Sequence, residues 1–262
     1  MVSRIKGISR RISQAFSGVG HLDDWDIDTG SLFSRLYCAA HFRIVEALAV
    51  LVGREYYRIK GGGSEGYSSL AWAAHNRKEG TVETARSQEE ANPKTLDNRG
   101  RTPLLHAAWN GHEEVVKTLL GREEVHPDKP DDHGQTPLIY AAGEGHEGVV
   151  KILLREGKIN PDQPDNFGQT PLMHAVFNGH EQVVKTLLGR EEVHPERPDE
   201  NGHTPLFCAA AKGHEEVVKM LLEQEEVNPE KSDHEGLTPL MVAQSYGHGR
   251  VITLLEHHAR RM

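Results

Sequence analysis

Seventeen histidines, thirty-nine carboxylate side chains and two cysteines give this chain the raw material for metal binding, proton transfer or nucleophilic attack. Spacing decides between those uses. A zinc site draws ligands from pairs a few residues apart, yet no Cys-x-x-Cys or His-x-x-x-His pair occurs; His112, His146, His180, His214 and His248 stand 34 residues apart. One histidine per period fits a structural column better than a ligand set. The Asp and Glu side chains also recur period by period, as a solvated surface does, and no nucleophile, base and acid converge on a reacting centre. Gly61-Gly62-Gly63-Ser64 has the composition of a phosphate-cradling loop, but no Gly-Lys-Ser/Thr follows it, so a flexible loop is expected. Enzyme chemistry, a metal and a cofactor are therefore not expected.

The first twenty residues differ from the rest. Ile5, Ile8, Ile12 and Phe16 follow helical spacing among Arg4, Lys6, Arg10 and Arg11, with no acid present. A basic amphipathic helix would lie on an anionic membrane, Arg10-Arg11-Ile12-Ser13 has the form of a basophilic kinase site, and an acid-free Arg/Ser-rich start also suits a mitochondrial leader. Gly7, Gly18 and Gly20 weaken any helix, which favours a disordered tail or a helix docked on the body. The whole chain carries a net charge of −9, so the body is more acidic still, which argues against a nucleic-acid partner. Cys38 and Cys208 are too few for a disulfide framework, and a reducing, intracellular and cytoplasmic setting is expected. No apolar run reaches the roughly 18 residues of a membrane span.

The elements that must position these residues are set by one period. Gly-x-Thr-Pro-Leu starts at Gly100, Gly134, Gly168, Gly202 and Gly236, with Ala107, Ala141, Ala175 and Ala209 in column behind it. The Gly-His pairs at 111–112, 145–146, 179–180 and 213–214 and the Val-Val pairs at 115–116, 149–150, 183–184 and 217–218 keep the same step. Self-similarity at such a period marks stacked repeats, each burying its apolar face on its neighbours. Aromatics at 6% fit the thin core of such a stack. Within one repeat, Thr102 caps a first helix with Pro103 at its first position, Leu104, Ala107 and Ala108 form its stripe, and Gly111 ends it in a left-handed conformation. Glu113 and Glu114 suit the N-terminus of a second helix striped by Val115, Val116, Leu119 and Leu120, with Glu113 and Lys117 as an i,i+4 pair. The connector from Val125 to Asp131 is too rich in proline for a helix and extends into a turn near Asp132-His133-Gly134.

These columns resemble the ankyrin repeat. The resemblance spans about 200 residues, with two departures. The period is 34 where the family's is about 33, and Leu105, Ile139, Met173, Phe207 and Met241 stand where the family's Thr-Pro-Leu-His has histidine. The wording also looks like the near-identical arrays of fungal ankyrin proteins, including the sensor halves of fungal NLR-like receptors. The resemblance implies an all-α solenoid of helix-turn-helix units with turn or hairpin fingers. Residues 100–235 form four regular repeats, 236–262 a C-terminal capping repeat, 66–99 a degenerate repeat and 21–65 an N-terminal capping region, behind the basic segment 1–20. In the last helix Val251, Leu254 and Leu255 match if one residue is deleted.

Columns that vary between repeats locate the candidate site. The finger positions read Asn98-Arg99, Asp132-His133, Asn166-Phe167, Glu200-Asn201 and His234-Glu235, and the residue after the glycine reads Arg101, Gln135, Gln169, His203 and Leu237. The first helix ends in Trp109-Asn110, Gly143-Glu144, Phe177-Asn178, Ala211-Lys212 and Ser245-Tyr246. In ankyrin proteins these positions line the concave face that grips partners, so the resemblance implies a monomeric protein-binding scaffold with Trp109, Phe177 and Tyr246 as anchors. The alternative is that these columns simply drift in solvent, but exposed aromatics are costly without a use.

Overall fold

A computed structural model of the chain describes residues 69–77 and 94–260. The basic segment 1–20, the region 21–65 with its glycine loop, and most of the degenerate repeat 66–99 lie outside the described residues. Helix α1 (Ser69–His75) is followed by five helix pairs: α2 (Pro103–Trp109) with α3 (Glu113–Leu120), α4 (Pro137–Gly143) with α5 (Glu147–Arg155), α6 (Pro171–Phe177) with α7 (Glu181–Leu188), α8 (Pro205–Lys212) with α9 (Glu215–Leu222), and α10 (Pro239–Tyr246) with α11 (Gly249–Ala259). The first helices stack in one layer, α1 on α2, then α4, α6, α8 and α10; the second helices stack behind them, α3 on α5, α7, α9 and α11. This is the expected solenoid.

Each first helix starts for the same local reason. Thr102, Thr136, Thr170, Thr204 and Thr238 are extended N-caps whose hydroxyls accept the amide of the residue three places on, and a proline follows each. The alanines at 107, 108, 141, 142, 209 and 210 are fully buried, which brings neighbouring helices close. Second helices bury Val115, Val116 and Leu119 and their counterparts.

The Gly-His column is where one repeat locks onto the next. The ring Nε2 of His112, His146, His180, His214 and His248 donates to the carbonyl oxygen of His75, Trp109, Gly143, Phe177 and Ala211 at 2.8–3.1 Å. Gly111, with φ +70°, leaves space for that packing, because a Cβ there would come 2.6 Å from His146 Nδ1. The histidines are therefore structural, as their period suggests.

Two details differ from expectation, and a third decides between turn and hairpin fingers. Lys117 pairs with Glu114 at 2.7 Å, while Glu113 lies against Gly148 of the next repeat, where the missing Cβ leaves room. No strand occurs among the described residues; the fingers are tight turns, and the prolines of the connector supply no amide for a ladder. Finally, α11 needs no deletion: His248, Val251 and Leu255 occupy the places of His214, Val217 and Leu221, with Val251 and Leu255 buried.

Candidate binding face

A column that the sequence reading passed over builds this face. Asp97, Asp131, Asp165, Asp199 and Asp233 stand three places before each finger glycine and are all buried. The Oδ1 of each accepts two backbone amides, from the residues two and four places on, at 2.8–2.9 Å. Such a side-chain turn satisfies donors that a short loop would otherwise leave unmet and leaves the two residues between aspartate and glycine exposed. The finger tips are strung together by one amide-to-carbonyl bond per junction: Asp132 to Arg99, Asn166 to His133, Glu200 to Phe167 and His234 to Asn201. The signal for this column was its invariance alone.

The second oxygen ties four of the fingers to the repeat body. Asp97 Oδ2 accepts Arg101 Nε at 2.7 Å and His106 Nε2 at 3.0 Å; Asp131 accepts the Tyr140 hydroxyl at 2.9 Å, and Asp165 accepts His174 Nε2 at 3.0 Å. Asp199 meets His203 Nδ1 at 3.2 Å. Burial alone would raise Asp97 and Asp165, but the bonds from Arg101 and Arg99 at the first and from His174, Gln169 and Phe167 at the second outweigh it, holding both below the usual carboxylate range. Burial, then the Arg101 charge, pull His106 down to about 4 despite Asp97. At neutral pH His106 is thus an uncharged donor. Burial, then the Asp131 charge, push the Tyr140 hydroxyl up, so it stays protonated.

The candidate residues divide into three groups on this frame. Asn98, Arg99, Asp132, His133, Asn166, Phe167, Glu200, Asn201, Glu144, Phe177, Asn178, Lys212 and Tyr246 are exposed. Trp109, Asn110, Gln135, Gln169 and His203 are half-buried. Arg101 is 1% exposed and corrects the expectation: its guanidinium is buried against Asp97 and over the Trp109 ring, 5.3 Å from its centroid. Trp109 is also held by Tyr140, ring centroids 5.2 Å apart, and donates to Glu144 Oε1 at 3.3 Å. Asn110 and Asn178 bridge back to the preceding repeat, through His75 Nδ1 and the Gly143 carbonyl. His203 stacks on Phe207.

Phe177 differs, being 48% exposed, with Lys212 Nζ 4.0 Å from its ring centroid. Phe167, on the finger of the same repeat, is 57% exposed. Among the described residues no group of three or more His, Cys, Asp or Glu side chains could hold a metal ion, and no helix is long and apolar enough to cross a membrane. Cys208 is buried, and burial pushes its thiol up to about 12, so it is not a nucleophile.

No curated protein matches the chain. A family model for ankyrin repeats, described as three copies, matches residues 36–131, 123–199 and 191–261. That coverage takes in every helix of both layers, and with the capped first helices, the Gly-His junctions and the turn fingers it shows that the chain belongs to the ankyrin-repeat family.

Proposed function

We propose that this chain is a non-enzymatic scaffold that binds a partner protein through its finger tips and first-helix ends, centred on Phe167, Phe177 and Lys212. Ankyrin repeats are generally protein–protein interaction modules. The observation that carries the reading is the Phe177 ring, about half exposed at the end of α6 with an ammonium group over it. An aromatic already paired with a cation offers a partner both apolar area and a charge, the composition of interface hot spots.

Capture from native lysate with wild type and the Phe167→Ala/Phe177→Ala variant, side by side, tests this. Partners captured by wild type and lost in the variant, with unchanged circular dichroism, support the face; identical capture by both refutes it. A sensor or adaptor role working with a separate effector protein is the narrower form of the same reading and would show as an effector among the lost partners. A membrane-tether role through residues 1–20 rests on the basic sequence alone, and predicts flotation with anionic liposomes that falls as salt rises and disappears on deletion of those residues.

A further inference from the structure

Asparagine is followed directly by glycine at three places, Asn110-Gly111, Asn178-Gly179 and Asn201-Gly202. In such a pair the side-chain carboxamide is open to attack by the next backbone nitrogen, because glycine brings no Cβ to hinder the approach. By sequence the three pairs are equivalent. The fold separates them.

At the ends of α2 and α6 the carboxamide is tied down. Asn110 Nδ2 donates to the His106 carbonyl at 2.8 Å and meets His75 Nδ1 at 3.1 Å, and Asn178 Nδ2 donates to the carbonyls of Gly143 and His174, both at 3.1 Å. These bonds hold each side chain against its own helix and the preceding repeat, so they must break before Cγ can close onto the following nitrogen. Asn201 stands on a finger tip, exposed, and its carboxamide is held by no hydrogen bond among the described residues. Exposure is not the difference, since Asn178 is exposed too. Nor is the nucleophile: the amides of Gly111, Gly179 and Gly202 donate to the carbonyls of Ala108, Val176 and Asp199 at 3.3, 3.1 and 3.0 Å, so freeing the glycine nitrogen is a cost common to all three.

We infer that Asn201 is the chain's site of spontaneous deamidation and isomerisation, a modification that consumes water and rewrites the finger before Gly202. The Gly202 nitrogen gives up its proton and bonds to Asn201 Cγ; the Cγ–Nδ2 bond breaks, and Nδ2 leaves with that proton as ammonia, closing a five-membered imide. Water then opens the ring. Opening at Cγ leaves an aspartyl residue, and opening at the backbone carbonyl leaves an isoaspartyl linkage. Both products add a negative charge beside Glu200. The isoaspartyl form also routes the main chain through Cβ and Cγ, so the carbonyl that accepts the His234 amide at 3.1 Å becomes part of a free carboxylate. It lengthens the loop that Asp199 Oδ1 closes onto the amides of Asn201 and His203 at 2.9 Å. The link between these two fingers loosens while both helix layers stay packed. That carboxylate is exposed, and its chemistry is that of a substrate for an isoaspartyl carboxyl methyltransferase. None of this depends on what the finger face binds.

The test incubates the full chain at slightly alkaline pH and follows the three Asn-Gly peptides by mass spectrometry, with isoaspartyl methyltransferase labelling to identify the isomerised product. In concentrated urea the three pairs should convert at similar rates. In the native chain Asn201 should convert at least about tenfold faster than Asn110 or Asn178, the factor expected from the two hydrogen bonds that hold each of the others. Asn201→Gln should remove the methyl label from the native chain and leave its melting temperature unchanged, because glutamine would have to close a larger ring. Native conversion at Asn201 no faster than at the other two overturns the inference, since the carboxamide bonds would then not decide the site. So does a methyl label that persists in Asn201→Gln, which would place the reactive residue elsewhere. Three native rates that rise in parallel with the unfolded fraction overturn it as well, because the reaction would then run through the unfolded chain.

Discussion

The repeats that begin at Gly100 and Gly168 share every packing column and differ in what they do with the variable ones. In the first, Arg101 and His106 turn inward onto Asp97 and Trp109 lies over the Arg101 guanidinium, so that the side chains of three variable positions are spent on the fold. In the second, His174 is the side chain that bonds Asp165, and Phe167 and Phe177 are each about half exposed to solvent. Variable columns are thus not equally free. The same position is structural near α1 and available near α8, and a groove drawn uniformly along the array would misplace its strongest residues.

The largest effect should come where the two repeats do not differ. Leu119 and Leu187 occupy the same column and are 1% and 0% exposed, so Leu119→Ala and Leu187→Ala should each cost about 2–5 kcal/mol through lost burial and a cavity. Nearest-neighbour coupling would spread the loosening to adjacent repeats. Urea titration showing a large cost at one site and none at the other would break the equivalence on which the comparison rests.

A glycine pair isolates the junction from the local backbone. Gly179 and Gly247 have φ values of +72° and +74°, so an alanine is equally strained at both; only Gly179 lies under a neighbouring ring, with a Cβ 2.7 Å from His214 Cε1. Gly247→Ala should cost about 1–2 kcal/mol, and Gly179→Ala about 1 kcal/mol more, because the His214-to-Phe177 bond must shift. Equal costs in thermal or urea melts would show that the histidine ladder contributes nothing.

These contrasts show what was legible. The Thr-Pro starts, the glycine stops and the valine stripes follow from rules acting within a few residues, and their 34-residue recurrence fixed the stacking. Several contacts that shape the site, unlike the short-range aspartate turns, run between chain positions 9 to 37 residues apart, such as Asp97 to His106 or His214 to Phe177, where no local rule operates. Variation in the Arg101 column suggests freedom. In the fold it reflects a different partner in each repeat, since Asp131 takes Tyr140 while Asp97 takes Arg101 and His106. The aspartate column is hard to see in sequence, because an invariant acid in a loop resembles ordinary turn chemistry until its burial is known.

Acid should distinguish the two repeats next. His106 is held near 4 when folded, against about 6.5 when unfolded. Between those values the unfolded chain takes up a proton that the folded chain refuses. Stability from this group is therefore complete above about pH 6.5 and is lost as pH falls towards 4, by about 2–3 kcal/mol. Asp97, held below its ordinary range, adds a loss of the same sign at still lower pH. His106→Gln should flatten the difference between urea titrations at pH 7 and pH 4.5. An unchanged slope in that variant would mean that the Asp97–Arg101–His106 cluster is not the acid-sensitive element.

The smallest effect tests the comparison most directly. Trp109 and Phe177 end their first helices in the same column, but Trp109 is packed against Tyr140 and Arg101 and bonded to Glu144, whereas Phe177 has the Lys212 ammonium over a ring that is about half exposed. Trp109→Ala uncovers the Arg101 guanidinium and removes a ring contact, which should cost about 1–2 kcal/mol. Phe177→Ala gives up one exposed cation–π contact and should cost about 0.5 kcal/mol or less, while weakening a groove partner by about 2 kcal/mol if the ring is a hot spot. Double-mutant cycles with Arg101→Ala and Lys212→Ala separate the terms, because coupling should be larger for the buried first pair than for the exposed second pair, where it should not exceed about 0.5 kcal/mol. A Phe177→Ala variant that loses more stability than Trp109→Ala would reverse the assignment, making the exposed ring the structural one and removing the centre of the proposed binding face.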